Sequence, residues 1–342
     1  MDNLGIFGAF EPGNFGDDLM AIIFGCEARK IIRGNVIIYG LSDELAKKYG
    51  FQSVRSIDQL VDSSDLIAVC GGGGLCIGPE ASGYALKFIQ EIAQLMSSIH
   101  RRNLPFAFFS MGGNGLNSHH RTIKKMLSTA THEFSTVRLK SDLMSDVLSN
   151  TKVKYAPDVV LLARFYANSH SGTNRNKVVF NVSPKEGLIG LLIGTFLSYY
   201  TRKKLVFAVT HSNKKYQHDF VPPLFWIKVF SRVEIFICND PIDDLSELST
   251  WSTVISSKLH LGMAALSLGA GFCSSAKNIK VRQFFLENET TNLLYSSFFS
   301  FINIVFKSFL KPSVLKANID VAESETHVNR FRNFILQKSQ KI

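Results

Sequence analysis

Charge is scarce in this chain of 342 residues: 19% of them are charged, against 46% hydrophobic. That balance excludes a self-repelling disordered polymer and leaves apolar surface enough for two cores. Long apolar runs are absent too, since none reaches the roughly 18–20 residues of a spanning helix. The most apolar candidate, Leu188–Tyr200, is followed by Arg202, Lys203 and Lys204, and the similar Leu293–Phe306 is followed by Lys307 and Lys311. Both read as core helices, with an interfacial membrane helix as the other reading. The five cysteines, Cys26, Cys70, Cys76, Cys238 and Cys273, are odd in number and contain no CxxC pair. A zinc ribbon or dithiol motif is excluded, and a reducing compartment is expected. The opening residues MDNLGIF have neither the basic start nor the apolar core of a secretory signal. A cytoplasmic location is therefore expected, with peripheral contact at the inner face of a membrane left open.

Several chemical signatures are also missing. Gly71–Gly74 is not followed by the Gly-Lys-Ser/Thr of a Walker loop, and Cys76 stands where a dinucleotide fingerprint needs its third glycine. There is no GxSxG elbow and no isolated carboxylate pair, so neither an α/β-hydrolase nor a glycosidase is supported. No basic-aromatic pattern of an RNA-binding sheet occurs, and nucleic acid is not an expected partner. His211, His218 and Asp219, like His119 and His120, match no standard ligand spacing. They read as solvated loop residues, and no metal is expected.

What is present begins with an uneven charge. Of the net +10, residues 1–170 contribute 17 Lys/Arg and 16 Asp/Glu, and residues 171–342 contribute 21 and 12. The second half is thus the side that attracts anions.

Short apolar runs alternate with helical-period stretches. Strands are predicted at Leu4–Phe10, Asn35–Gly40, Leu66–Cys70 and Pro105–Met111, and helices at Asp17–Ile32, Asp43–Tyr49, Gly83–Arg101 and His119–Ala130. The polar stretch 168–176 reads as a linker. Beyond it, strands are predicted at Val178–Val182, Leu205–Val209, Val233–Cys238 and Trp251–Ile255, with helices at Asp243–Leu248 and His260–Leu268. Such βα alternation predicts an α/β fold of two Rossmann-like domains, 1–167 and 177–316, with a cleft between them and a polar helical tail over 317–342.

Three groups could carry chemistry. Gly13-Asn14-Phe15-Gly16-Asp17-Asp18 joins the first strand to the first helix, and reads either as a βα turn capped by Asp17 or as an anion seat. The glycines at Gly71–Gly74, with Gly72 and Gly73 central, and at Gly112-Gly113-Asn114-Gly115 follow two strands. They exclude side chains where backbone approaches a ligand or another segment. Ser256-Ser257-Lys258-Leu259-His260 opens a helix. Lys258 and His260 could bind an anion and move a proton there, or be a snorkelling lysine and a buried histidine.

In order, GNFGDD at Gly13, the Gly71–Leu75 run, Ser135-Thr136-Val137-Arg138-Leu139-Lys140-Ser141, Ala156-Pro157-Asp158 and Ser257-Lys258-Leu259-His260 resemble the polysaccharide pyruvyl transferase family. The resemblance spans residues 13 to about 285. It implies a glycosyltransferase-B-like arrangement, with the acceptor on the first domain and the donor on the second. It also implies phosphoenolpyruvate as donor, no separate cofactor, and a pyruvate ketal placed on a sugar of an exopolysaccharide or its lipid-linked precursor. The family's Arg-Leu-His falls on Lys258-Leu259-His260, keeping the charge but not the bidentate fork. By this resemblance His260 is the general acid, Asp17 a base or acceptor contact, and Lys258, Ser257, Arg138 and Lys280 donor ligands. Asn14, Gly16, Gly72, Gly73 and Gly113 then form glycine loops around the donor. The alternatives are a nucleotide-sugar-dependent glycosyltransferase of the same architecture and a non-catalytic glycan-assembly or membrane-associated protein. Homo-oligomerisation is left open.

Overall fold

A computed structural model describes residues 3–10, 13–78, 83–113, 119–167, 175–211, 219–317 and 319–339. The chain divides into two compact units. The first comprises Met1–Pro12, Asp17–Val159 and Asp320–Ile342, and the second Gly13–Gly16 and Val160–Ile319. Most of the predicted linker, 168–174, lies outside the described residues.

The first unit is built on β1 (Leu4–Phe7), β2 (Val36–Tyr39), β3 (Gln52–Val54), β4 (Leu66–Cys70) and β5 (Phe106–Phe109). They form one parallel sheet in the order β3-β2-β1-β4-β5. Strands β1, β4 and β5 are apolar throughout and buried on both faces, as the helical crossovers of a parallel sheet require. Those helices are α1 (Phe15–Arg29), α2 (Asp43–Tyr49), α3 (Ile57–Asp62), α4 (Tyr84–Arg102) and α5 (Arg121–Thr129). Local chemistry sets their ends. Ser42 Oγ accepts from the Leu45 amide at the start of α2, and Gly50, at φ +72°, closes it. A short parallel pair, β6 (Thr136–Val137) with β7 (Lys154–Tyr155), continues from β5 through a bridge between Met111 and Val137.

The second unit repeats the plan with β8 (Lys177–Asn181), β9 (Lys204–Val209), β10 (Val233–Ile237), β11 (Trp251–Ser256), β12 (Gly271–Ser275) and β13 (Leu294–Tyr295). Their order is β10-β9-β8-β11-β12-β13, again parallel. Its helices are α6 (Pro184–Thr201), α7 (Leu224–Val229), α8 (Asp244–Leu248), α9 (Leu259–Ser267), α10 (Ile279–Glu287) and α11 (Phe298–Leu310). In each sheet the winding reverses once, between β1 and β4 and between β8 and β11. The carboxyl ends of those strand pairs are where open α/β sheets hold ligands.

The C-terminal segment departs from the expected tail. The last helix, α12 (Glu325–Ser339), belongs to the first unit and completes its core. Phe331, Phe334 and Ile335 are fully buried, and Phe331 meets Phe24 and Phe109 edge-on, with ring centroids 5.1 and 5.2 Å apart. Arg332 pairs with the buried carboxylate of Glu27 on α1, which Lys30 also reaches at 2.5 Å. The segment looks polar because its apolar residues form a single stripe, which is all that a surface helix buries.

Burial of α12 also sets a pH dependence. His327 is fully buried with Nδ1 2.7 Å from Thr136 Oγ1, and desolvation pushes its pKa down from 6.5 to about 4. The folded state keeps the ring neutral while the unfolded chain takes up a proton. Stability is therefore complete above pH 6.5 and falls as pH drops towards 4. By pH 4.5 the loss from this group is about 2–3 kcal/mol. Urea unfolding across that range is expected to show a slope that His327→Gln flattens; equal slopes in both proteins contradict the assignment.

Candidate functional site

Residues 13–16 leave the first unit and join the second. Gly13, at φ +82°, turns the chain, Asn14 bridges His211, and the Phe15 amide donates to the Thr210 carbonyl at 3.0 Å. Asn14 Oδ1 then accepts from the Gly16 amide at 3.3 Å. The cap at the start of α1 is thus made by Asn14 and not by Asp17, which lies in the first turn as a half-buried residue. Gly16 is required by contact: a Cβ there would fall on the imidazole of His260. Two landmarks 244 positions apart in sequence, Gly16 and His260, therefore touch.

The β11–α9 turn that presents His260 is pinned at the switch point of the second sheet. Asn181, ending β8, donates through Nδ2 to the Ala208 carbonyl at 2.9 Å and accepts at Oδ1 from Ser256 Oγ at 2.9 Å. Ser256 Oγ in turn accepts from the Lys258 amide at 2.9 Å. The Ser257 amide donates to the Asn181 carbonyl at 2.8 Å, and Asn278 Nδ2 donates to the Ser257 carbonyl at 2.9 Å. Lys258 occupies the N-cap of α9 in extended conformation, and an ammonium offers no acceptor, so no side chain caps the helix. This places a cation, the positive end of a helix and a half-buried imidazole together. Asn278 also caps α10 through the Val281 amide, and Lys280 stands exposed in the first turn of α10. Asn14, Gly16, Ser257, Lys258, His260 and Lys280 thus share one edge of the second unit. Asn181 and Asn278, which hold that edge, were not singled out in the sequence. Asn181 leaves only the sign of a polar residue ending an apolar strand, and Asn278 only that of an N-cap ahead of α10.

The remaining predicted residues gather in the first unit, largely around other parts of that unit. Gly71 and Gly72 adopt φ +66° and +78°, and a Cβ on Gly72 would lie 3.0 Å from the Ala9 Cβ. The Gly112 amide donates to the Gly72 carbonyl at 3.1 Å, and the Leu75 amide donates back to the Gly112 carbonyl at 3.2 Å. Gly73 lies between them at φ −96°. The Gly113 amide donates to Asp142 Oδ2 at 2.8 Å, and a Cβ there would strike that carboxylate. Gly71, Gly72, Gly74, Gly112 and Gly113 each sit in close approach to another segment of the first unit, mostly to its side chains. Asn114 and Gly115 lie outside the described residues.

Arg138 is 7% exposed, and its Nη1 donates to Asp158 Oδ2 at 2.8 Å, a carboxylate only 2% exposed. Two more landmarks are thereby joined. The structure gives this guanidinium a partner inside the first unit. Beside it, Ser110 follows β5 at φ +53°, fully buried, with its amide donating to Thr136 Oγ1 and its Oγ accepting from the Val159 amide. A non-glycine residue held this way stores backbone strain at the carboxyl edge of the first sheet.

The histidines expected in solvated loops need correction. His119 is buried beside Leu75, and burial lowers its pKa. His120 caps α5 by accepting from the Thr122 amide. His211 is buried, and Asp219 accepts from both the amide and hydroxyl of Thr210. His119 and His211 are thus shielded from water, and His120 and Asp219 are half-buried and bonded to backbone amides. His218 lies outside the described residues. Among the described residues no cluster of three or more His, Cys, Asp or Glu could hold a metal ion. A cavity of about 770 Å³ opens in the first unit between α4 and α5, but at the amino end of β5, opposite the edge where the glycine loops lie.

In fold the chain is similar to UDP-GlcNAc 2-epimerase from Neisseria meningitidis bound to UDP-GlcNAc, with a TM-score of 0.62 at 11% identity over 100% of both chains. A second UDP-N-acetylglucosamine 2-epimerase gives 0.64 at 9% identity over 99% of this chain and 97% of the other. Anabaena Alr3699/HepE in complex with UDP-glucose gives 0.51 at 11% identity over 100% of both. No family model and no curated protein matches the sequence. At these identities the likeness is one of fold, a pair of Rossmann-like sheets of the glycosyltransferase-B type.

Proposed function

We propose that the chain is a transferase of glycan assembly that seats a small anionic donor at the N-terminus of α9. The donor put first is phosphoenolpyruvate, and the product is a pyruvate ketal on a sugar. The observation that carries this reading is the contact of Gly16 with His260 beside Lys258, because it joins the two motifs to which the resemblance assigns the chemistry. Lys258 and the first-turn amides of α9 hold the phosphate or carboxylate. His260 gives its proton to the methylene carbon, and positive charge develops at C2. One sugar hydroxyl attacks C2, its proton restores the imidazolium, and the C2–O bond to phosphate breaks. A second hydroxyl closes the ketal and releases its proton with the phosphate. No electron acceptor is needed. Asp17, next in sequence to Gly16, is the candidate contact for the acceptor sugar.

A nucleotide sugar is the second donor, and the UDP-sugar complexes among the similar folds support it more directly than they support pyruvyl transfer. The same helix end would then receive a diphosphate. Incubation with phosphoenolpyruvate and a panel of glycosides and lipid-linked sugars, following phosphate release and acceptor mass, separates the two. Phosphate release with the mass gain of a cyclic ketal is expected. Release of a nucleoside diphosphate from a nucleotide sugar instead replaces the first reading by the second. Turnover from neither, with acceptor bound, rejects both.

A further inference from the structure

The 18-residue α6 is apolar nearly all round, yet it is not enclosed. Leu188, Leu192, Phe196, Tyr199 and Tyr200 follow one another at the i, i+4, i+8, i+11 and i+12 spacing of a single helix face. Each is at least 49% exposed. From Gly187 to Thr201 the helix carries no charged residue. Beside it packs α11, where Phe299, Phe306 and Leu310 are 40–80% exposed on a face that also holds Lys307. The expectation that both apolar runs are core helices therefore holds for one side of each only. At roughly 200 Å² for a large side chain, the exposed fractions amount to about 900 Å². That exceeds the roughly 300–600 Å² of the largest patch on an ordinary soluble monomer.

The rim of this face is cationic. Exposed Lys185 stands at one end of α6 and exposed Arg202 at the other, Arg232 lies 5.9 Å over the ring of Tyr199, and Lys307 and Lys311 end α11. The one acidic side chain on either helix, Glu186, is engaged in the capping box with Ser183. Lys203, between the helices, donates to the Ser308 carbonyl and ties α6 to the end of α11. No described helix is long and apolar enough to cross a bilayer. Rigid aromatic and aliphatic side chains on one face, bordered by lysine and arginine, suit a surface that is apolar inside and negative outside.

We infer that the α6–α11 face of the second unit is a docking surface for an anionic lipid bilayer, lying flat in the headgroup region. This is independent of the donor reading, since neither Lys258 nor His260 belongs to the face. The test is cosedimentation of the full chain with vesicles of phosphatidylcholine, with and without phosphatidylglycerol, at low and high salt. Binding is expected with the anionic vesicles and is expected to weaken as salt screens the charge. Leu192→Glu with Phe196→Glu should abolish it, and Lys307→Gln with Lys311→Gln should weaken it on the order of tenfold. Circular dichroism of the variants should match the parent, because all four positions are exposed. The proposal is overturned by failure of the parent to bind any vesicle, or by binding that ignores all four substitutions. It is equally overturned by a parent dimer in sedimentation that the glutamates dissociate while vesicles stay unbound, which would make the face an interface between copies.

Discussion

Replacing His260 by Ala or Gln is expected to lower turnover by about 10²–10⁴-fold, the range for losing a positioned proton donor, while the donor still binds. In the proposed reaction Lys258 and the helix end bind the anions, whereas the imidazole acts only as the methylene carbon becomes tetrahedral. The loss therefore belongs in kcat and not in KM. Gly16→Ala provides an independent approach to the same group. The new methyl overlaps the ring of His260, so the imidazole must move by an ångström or more, and a displacement of that size costs about 10²-fold in a proton transfer that depends on position. Both variants keep every residue that would contact the donor's anionic groups. Near-normal turnover in either, with the fold intact, removes His260 from the chemistry.

Arg138→Ala is expected to destabilise the first unit by about 3–5 kcal/mol, because it leaves the Asp158 carboxylate uncompensated inside the protein. The pair is almost wholly enclosed, with side chains 5% and 1% exposed, so water cannot take over the arginine's role. A double replacement, Arg138→Met with Asp158→Leu, removes both charges and should recover most of the loss. Chemical unfolding of the three proteins measures this. If Arg138→Ala unfolds like the parent but loses donor affinity, the guanidinium serves the ligand and not the fold, as the family resemblance first implied.

The sequence disclosed its regular parts because each obeys a single dominant rule. Leu66–Cys70 and Leu205–Val209 are apolar runs of strand length, and parallel sheets bury such runs on both faces. The short edge strand Gln52–Val54 is half open to solvent and has no such signature. Gly271–Ser275 is buried but, Phe272 apart, made of small residues, so its pattern resembles a loop. The return of α12 to the first unit is a tertiary event, decided by contacts of Phe331 and Phe334 with residues some 200 to 300 positions earlier. The candidate site divides in the same way. Lys258 and His260 could be proposed from their place before a small-residue helix. The meeting of His260 with Gly16, the pairing of Arg138 with Asp158, and the bracing by Asn181 and Asn278 required the folded chain. The glycine runs could be read either way: a composition that suits a ligand loop also suits loops packed on one another, and Gly72 and Gly113 do approach neighbouring segments closely.

The claim on which this account rests is that the uncapped end of α9, with Lys258 at its start, grips an anionic donor. Calorimetric titration of the full chain and of Lys258→Ala with phosphoenolpyruvate, and separately with UDP-sugars, tests it directly. Saturable binding of one of these donors by the parent is predicted, weakened on the order of tenfold or more in the variant by loss of a charge-assisted contact. Equal affinity in both proteins, or no binding of either donor by the parent, would contradict it.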